Sequence, residues 1–223
     1  MSPIKPSFKS EFWPILLIIS GFILGAYFYS HFPEQVPSHW DINGYVDDWS
    51  ARSFAAWFFP LLLLIFYTIL HIVPYLDPKR DRYPHFKNNY HAVKNSLMTF
   101  LFAVYIATGV IGLGYAVPMQ QVMPILVGLL FAGLGRYIGS FEQNWFAGVR
   151  NPWTLSNPEV WKKTNILMSR LITLAGVLII FTALPLPVAL RYSIYIVAIL
   201  GMILIPNIYS YLLFQKENEG KKK

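Results

Sequence analysis

Residues 55–76 read AAWFFPLLLLIFYTILHIVPYL and contain no Asp, Glu, Lys or Arg. Coiled as a helix rising 1.5 Å per residue, this stretch reaches about 33 Å, enough to cross a hydrocarbon core about 30 Å thick. Working outward from it, five more apolar blocks appear, at Phe12–Ser30, Ser96–Val117, Val122–Ile138, Ile166–Leu184 and Leu190–Phe214. Of the 223 residues, 55% are hydrophobic and 13% charged, about half the charged fraction of soluble domains, which excludes disorder and an ordinary soluble domain. No strand-like alternation runs through the blocks, and a backbone in lipid must satisfy its own hydrogen bonds. The expected fold is therefore an all-α integral membrane protein, a bundle of six transmembrane helices with one short outer hairpin loop.

The net charge of +7 raises the question of nucleic acid, and the placement of the charge answers it. Sixteen of the eighteen Lys and Arg residues fall on one side of the six-span arrangement, and only Arg52 and Arg191 fall on the other. By the positive-inside rule both termini and the second and fourth loops are cytoplasmic, so the basic residues face anionic headgroups. No direct nucleic-acid binding is expected, and membrane lipids are the first partners. With no cysteine, the chain has no disulfide, thiolate metal site or cysteine nucleophile, and no cofactor is expected. The first span reads as a retained anchor: Phe28-Tyr29-Ser30-His31 offers no small-x-small cleavage site.

Within the bundle, Gly21/Gly25, Thr108/Gly112 and Gly128/Ala132 follow small-xxx-small spacing and mark close helix contacts. No carboxylate is expected inside a span. The deepest ionisable group is His71, read as a neutral imidazole bonded to a backbone carbonyl, while Arg136 and Arg170 snorkel toward headgroups.

The outer loop, residues 31–54, reads HFPEQVPSHWDINGYVDDWSARSF and carries four acids against Arg52, a charge of −3. Asn43-Gly44 is a dipeptide favoured in two-residue hairpin turns, so Val36–Ile42 and Tyr45–Trp49 are expected as short strands. Trp40, Tyr45 and Trp49 suit the headgroup level, and His39, Asp41 and Asp47 are weak candidates for a divalent-metal site. An acidic surface with exposed aromatics equally suits docking of a cationic or amphipathic peptide.

The inner loop, residues 142–164, reads EQNWFAGVRNPWTLSNPEVWKKT. Gly148 permits a tight bend, Pro152 fixes φ, and Ser156-Asn157-Pro158-Glu159 reads as a capping box opening a helix. Trp153 and Trp161 are expected in the inner interfacial belt, near Arg150, Lys162 and Lys163.

These two loops carry a resemblance. The inner string is similar to the signature of the SdpI family of bacterial membrane proteins, N-x-x-x-G-[IL]-R-T-P-W-T-L followed by an acid and V-W at a helix start. The outer string resembles the P-x-x-[IV]-P-x-H-[WF]-x-x-x-G-x-x-D module that precedes it in those proteins. Position by position, the inner signature falls on Asn144, Gly148, Arg150, Pro152, Trp153, Thr154, Leu155 and Trp161. The outer module falls on Pro33, Pro37, His39, Trp40, Gly44 and Asp47. Asn151 stands where the family has Thr, Val149 where it has Ile or Leu, and Arg136 where many members have Asn.

The resemblance implies a multi-pass, non-enzymatic protein of the bacterial cytoplasmic membrane with two modules, residues 1–95 and 96–223. It implies immunity to a secreted peptide toxin, and relay of the toxin's presence by holding a small winged-helix repressor at the membrane. Pro37, His39, Trp40, Asp41, Gly44 and Asp47 would then form the outer recognition element. Asn144, Gly148, Arg150, Pro152, Trp153, Thr154 and Trp161 would form the inner one. The alternatives are a peptide or lipid transporter or flippase, predicting flux, and a metal-dependent membrane enzyme built on His39, Asp41 and Asp47.

Overall fold

A computed structural model describes residues 3–220; the end of the expected basic tail, Lys221–Lys223, lies outside the described residues. The chain runs α1 (Phe8–His31), β1 (Gln35–Trp40), β2 (Val46–Ala51), α2 (Arg52–Leu76), a 3-10 turn (Arg80–Arg82), α3 (Tyr83–Gly112), α4 (Met119–Ile138), α5 (Pro152–Ser156), α6 (Pro158–Phe181) and α7 (Val188–Gly220). Among the described residues six helices, all but α5, are long and apolar enough to cross a membrane. The strands pair as one antiparallel hairpin at one end of the bundle. The 3-10 turn, α5 and the irregular chain at 139–151 gather at the other.

Packing follows the small residues and the aromatic rings. A Cβ on Gly25 would lie 2.9 Å from the Trp57 ring of α2, and one on Gly176 of α6 would lie 2.6 Å from the Gly128 carbonyl and 2.7 Å from the Ala132 nitrogen of α4. The backbones of α4 and α6 thus touch where two small residues face a third, as expected for Gly128/Ala132. The Thr108/Gly112 pair behaves differently: Gly112 receives the Phe32 ring, while Thr108 borders a cavity. Phe28, Phe32, Val36, Ala56 and Tyr105 form a core at the hairpin end; Leu17, Leu63 and Met98 form one in the middle. Tyr83, Phe86, Tyr90 and Phe141 form a third at the loop end.

Three expectations change. The third helix begins at Tyr83, not Ser96, with a kink at Phe86 (φ −122°, ψ 20°). The stretch expected as a loop carries buried Tyr83, Phe86, Tyr90 and Lys94, which lead at helical spacing into Met98 of the expected span. Residue 95, where the first expected module ends, falls within this helix. Among the described residues His71 has no carbonyl partner; its ring stacks on Tyr67 and lies tilted against Tyr75, each four residues away on α2.

The third change concerns charge. The first helix starts at Phe8, capped reciprocally by Ser7 and Ser10, and this takes Glu11 inside it. Glu11 meets Lys94 of α3: the ammonium donates to both carboxylate oxygens, at 2.9 and 2.7 Å. Tyr67 of α2 donates to the same carboxylate at 3.0 Å, and Ser10 does so at 2.9 Å. The side chains of Lys94 and Glu11 are only 3% and 10% exposed. One ion pair, with a tyrosine from the helix between, thus joins the first three helices.

Removing one partner of such a pair strands a charge, at a cost of about 3–5 kcal/mol, whereas neutralising both leaves no unpaired charge buried. Lys94→Met should therefore lower the thermal unfolding midpoint in detergent sharply, and Glu11→Gln combined with Lys94→Met should recover most of the loss. Additive losses in the double variant would show that the two residues act independently.

Candidate functional site

Two places gather the residues singled out by sequence, one at each end of the bundle. At the hairpin end the register is Gln35↔Ala51, Val36↔Ser50 and Pro37↔Trp49, followed by two irregular steps to His39↔Asp48 and Trp40↔Val46. The turn is not the two-residue type expected. Gly44 N–H donates to the Asp41 carbonyl at 2.9 Å and Asp41 N–H to the Tyr45 carbonyl at 2.9 Å, so the loop is Ile42-Asn43-Gly44. Only Gly44 has positive φ, +83°, as in the three-residue hairpin that ends on a left-handed glycine. The cause is the Asp41 carboxylate, which accepts from Asn43 N–H at 2.9 Å and Tyr45 N–H at 2.8 Å and so organises the longer loop. Desolvation pushes the Asp41 carboxyl up, but the hydrogen bonds from the Tyr45 backbone and from Asn43 outweigh it, leaving it below the usual aspartate value of 3.8.

His39 and Asp47 meet across the strands, Nδ1 to Oδ1 at 2.5 Å, and both are exposed. Asp41 does not join them, because its oxygens serve the turn. Among the described residues no group of three or more His, Asp or Glu side chains is arranged to hold a metal ion. Asp48 accepts from the adjacent Trp49 N–H, at 2.8 Å. The tip of the hairpin is latched by a residue that the sequence marks only as one of the two outer-side cations. Arg191, 6% exposed at the start of α7, donates to the Ile42 carbonyl at 3.2 Å and to the side-chain oxygen of Gln120 on α4.

Beneath the hairpin lies a cavity of about 450 Å³. Pro37, His39 and Trp40 of the expected recognition element line it, together with Phe54 of α2, Thr108 of α3 and Met123 of α4. Asp41, Gly44 and Asp47 shape the hairpin without lining the cavity. No local motif announced this space, since its walls come from elements far apart in the chain.

At the loop end most signature residues build the loop itself. Asn144, fully buried, accepts from Phe146 N–H at 2.9 Å and Ala147 N–H at 2.8 Å and donates to the Glu142 carbonyl at 2.9 Å. Gly148 sits at φ +106°, and a Cβ there would come within 2.5 Å of the Asn165 side-chain oxygen, which accepts from Val149 N–H at 2.7 Å. Asn151 and Thr154 cap α5 reciprocally: Asn151 accepts from Thr154 N–H and Thr154 Oγ1 from Asn151 N–H, both at 3.0 Å, and Pro152 takes the first helical position. The departure of Asn151 from the family's Thr adds contacts, because its amide also donates to Asn207 at 3.0 Å and Ser210 at 2.8 Å on α7. Trp153 packs edge-on against Tyr211 of the same helix.

Two expectations are corrected here. The cap of α6 is Asn157, which accepts from Glu159 and Val160 N–H; Ser156 ends α5 and its hydroxyl donates back to the Trp153 carbonyl. The Asn157 side chain reaches its own second and third successors, which Ser156 cannot do with α5 ending beneath it. Trp161 is not in an interfacial belt: it is 2% exposed, and its indole N–H donates to the Phe141 carbonyl at 2.8 Å. Arg150 is exposed and donates to the Trp145 carbonyl at 2.6 Å, beside exposed Trp145 and Phe146.

A second layer was invisible to sequence reading. Asp77, buried at the end of α2, accepts from Tyr83 Oη at 3.0 Å and from Trp145 N–H at 2.9 Å. Gln143 accepts from Lys79 and from Arg82 (3.1 Å), and its amide donates to the Thr154 and Leu155 carbonyls at 2.7 and 2.8 Å. Burial and the adjacent Arg82 hold the Lys79 ammonium below its ordinary value, against the pull of Asp77 and Asp81. The α2–α3 connection and the signature loop are thus one hydrogen-bonded body.

Comparison with known proteins agrees with the resemblance drawn from the two loops. Residues 140–210, covering the signature loop, α6 and most of α7, match the SdpI/YfhL protein family. Residues 16–64, covering most of α1, the hairpin and half of α2, match a domain of unknown function, DUF1648. The chain is 25% identical over 219 residues to the immunity protein SdpI of Bacillus subtilis (strain 168), across 96% of this chain and 100% of that protein. No solved structure matches it significantly.

The Asp41 turn has a definite acid response. A carboxyl whose folded value is depressed contributes its hold fully above the unfolded value of 3.8 and loses it as pH falls through the lower folded one. Protection of the Asn43 and Tyr45 amides from hydrogen exchange, corrected for intrinsic rates, should persist from neutrality to pH 3.8 and fail only below it. Loss of protection well above that pH would refute the carboxylate's role in the turn.

Proposed function

We propose that this chain, a multi-pass membrane protein whose residues 140–210 form an SdpI-family module, is a non-enzymatic immunity protein that protects a bacterium from a secreted peptide toxin. The observation that carries this reading is the likeness to an immunity protein over essentially the whole chain, both loops included. The protein lies in the cytoplasmic membrane with the hairpin end outside and both termini inside, an orientation supported by the placement of sixteen of eighteen Lys and Arg residues on the loop side. The module of residues 1–95 meets the toxin through its acidic hairpin. The module of residues 96–223 faces the cytoplasm through Trp145, Phe146 and Arg150, the part of the signature loop whose side chains are exposed and free to touch a soluble partner.

A relay of toxin presence follows the same geometry. A small winged-helix repressor held at the membrane would find there two exposed aromatics beside a guanidinium, a combination enriched in binding hot spots. The planar fork of Arg150 already holds the Trp145 carbonyl and presents its remaining donors outward.

The orientation is checked by single cysteines, which report cleanly because the chain has none of its own. A membrane-impermeant maleimide added to intact cells should label Asp48→Cys and not Ser156→Cys; labelling of both from outside ends the proposal. The function is checked by expressing the chain in a toxin-sensitive strain challenged with candidate secreted peptides. Survival is expected, and Arg150→Ala at unchanged membrane abundance should reduce it, with Arg150→Lys failing to restore it. Unchanged survival would reduce Arg150 to an anchor.

A further inference from the structure

We infer that the cavity beneath the hairpin binds the apolar side chains of a cationic amphipathic peptide, with the acidic rim of the hairpin pairing the peptide's positive charge. This rests on the reading of the chain as a peptide-toxin immunity protein and names the contact surface that reading requires. The space of about 450 Å³ lies within the range of preformed ligand sites, roughly 300–1,000 Å³. Its walls are mostly aromatic and aliphatic, with Ser38, His39, Ser50 and Thr108 among them, and Met119 and Met123 bring unbranched thioether side chains that adapt to differently shaped guests. Water gains little in such a space, because it finds few polar partners there.

The rim selects the charge of the guest. Of the loop's four acids Asp41 serves the turn and Asp47 pairs with His39, leaving Glu34 and Asp48, and Arg52 does not neutralise these: its guanidinium stands 5.8 Å above the Tyr29 ring. No ion pair of Arg52 with a carboxylate occurs among the described residues. Asp48 is exposed and, among the described residues, bonded only to its neighbouring amide, so its charge is available to a guest. A phospholipid acyl chain would suit the walls, but its phosphate would meet the same acids. Apolar walls beneath an acidic rim therefore favour a guest with aliphatic or aromatic side chains next to Lys or Arg.

The test uses the full chain in phosphatidylcholine nanodiscs and a short amphipathic Leu/Lys peptide bearing one benzoylphenylalanine on its apolar face. Photolysis should join the probe to residues lining the cavity, Met123 and Phe54 among them. A Leu/Glu analogue and a Ser/Lys analogue should each need about tenfold more peptide for equal yield, and Asp48→Asn should weaken the Leu/Lys probe about threefold. Ser50→Trp, which fills the cavity from the hairpin side, should abolish the adduct; Asp48→Asn keeps the proposal testable if that variant fails to fold. Adducts spread over the lipid-facing helices, equal labelling by the Leu/Glu analogue, or displacement of the probe by phospholipid alone would overturn the proposal. Toxin survival with Ser50→Trp after the adduct is lost would remove the cavity and leave immunity standing. Cavity adducts without protection of cells would remove immunity and leave the cavity.

Discussion

A backbone that crosses hydrocarbon must satisfy its own amides and carbonyls, and every irregular stretch of this chain must then be satisfied by something else. In six long helices the solution is internal. At the two ends it falls to a few short polar side chains. Asp41 organises the hairpin turn, and Asp77 receives an amide from across the loop end. Asn144, Gln143, Thr154 and Asn165 saturate the signature loop from within. These groups are buried or committed to the backbone, so they fix shape. Side chains left open by this arrangement include those of the hairpin rim and cavity at one end, and Trp145, Phe146 and Arg150 at the other.

Much of that arrangement could be read in advance, for physical reasons that differ by element. Apolar length alone revealed the six spans, and Asn43-Gly44 between short alternating stretches revealed the hairpin. The turn type was misread because a carboxylate two residues before Asn43 can reset the loop length, and side-chain acceptance of that kind competes with dipeptide preference. The first turns of α3 are hidden in composition, since Lys87, Asn88, Asn89 and Lys94 interrupt the apolar run; the aromatic stripe through Tyr83, Phe86 and Tyr90 is the available counter-signal.

Contacts between distant residues were not legible. Glu11 and Lys94 are 83 positions apart, Arg191 and Ile42 are 149 apart, and no local pattern encodes such pairings. The signature residues were located by resemblance, but their division of labour was not. Trp161 looked like an interfacial tryptophan and is instead a buried strut, while Asn151, marked only as a departure, ties the loop to a membrane helix. The cavity is a property of the assembled bundle, and no single segment foretold it.

The last helix has a mechanical place in this arrangement. Arg191 near its first turn grips the hairpin tip, and Asn207, Ser210 and Tyr211, about 24 Å further along at 1.5 Å per residue, grip the opposite loop. Between those grips Ile196, Val197, Leu200, Ile203 and Leu204 are open to lipid. Helices in that position tilt when the hydrocarbon thins or thickens. Any change in the tilt of α7 therefore shifts both grips together, and this one helix couples the position of the hairpin tip to that of the opposite loop.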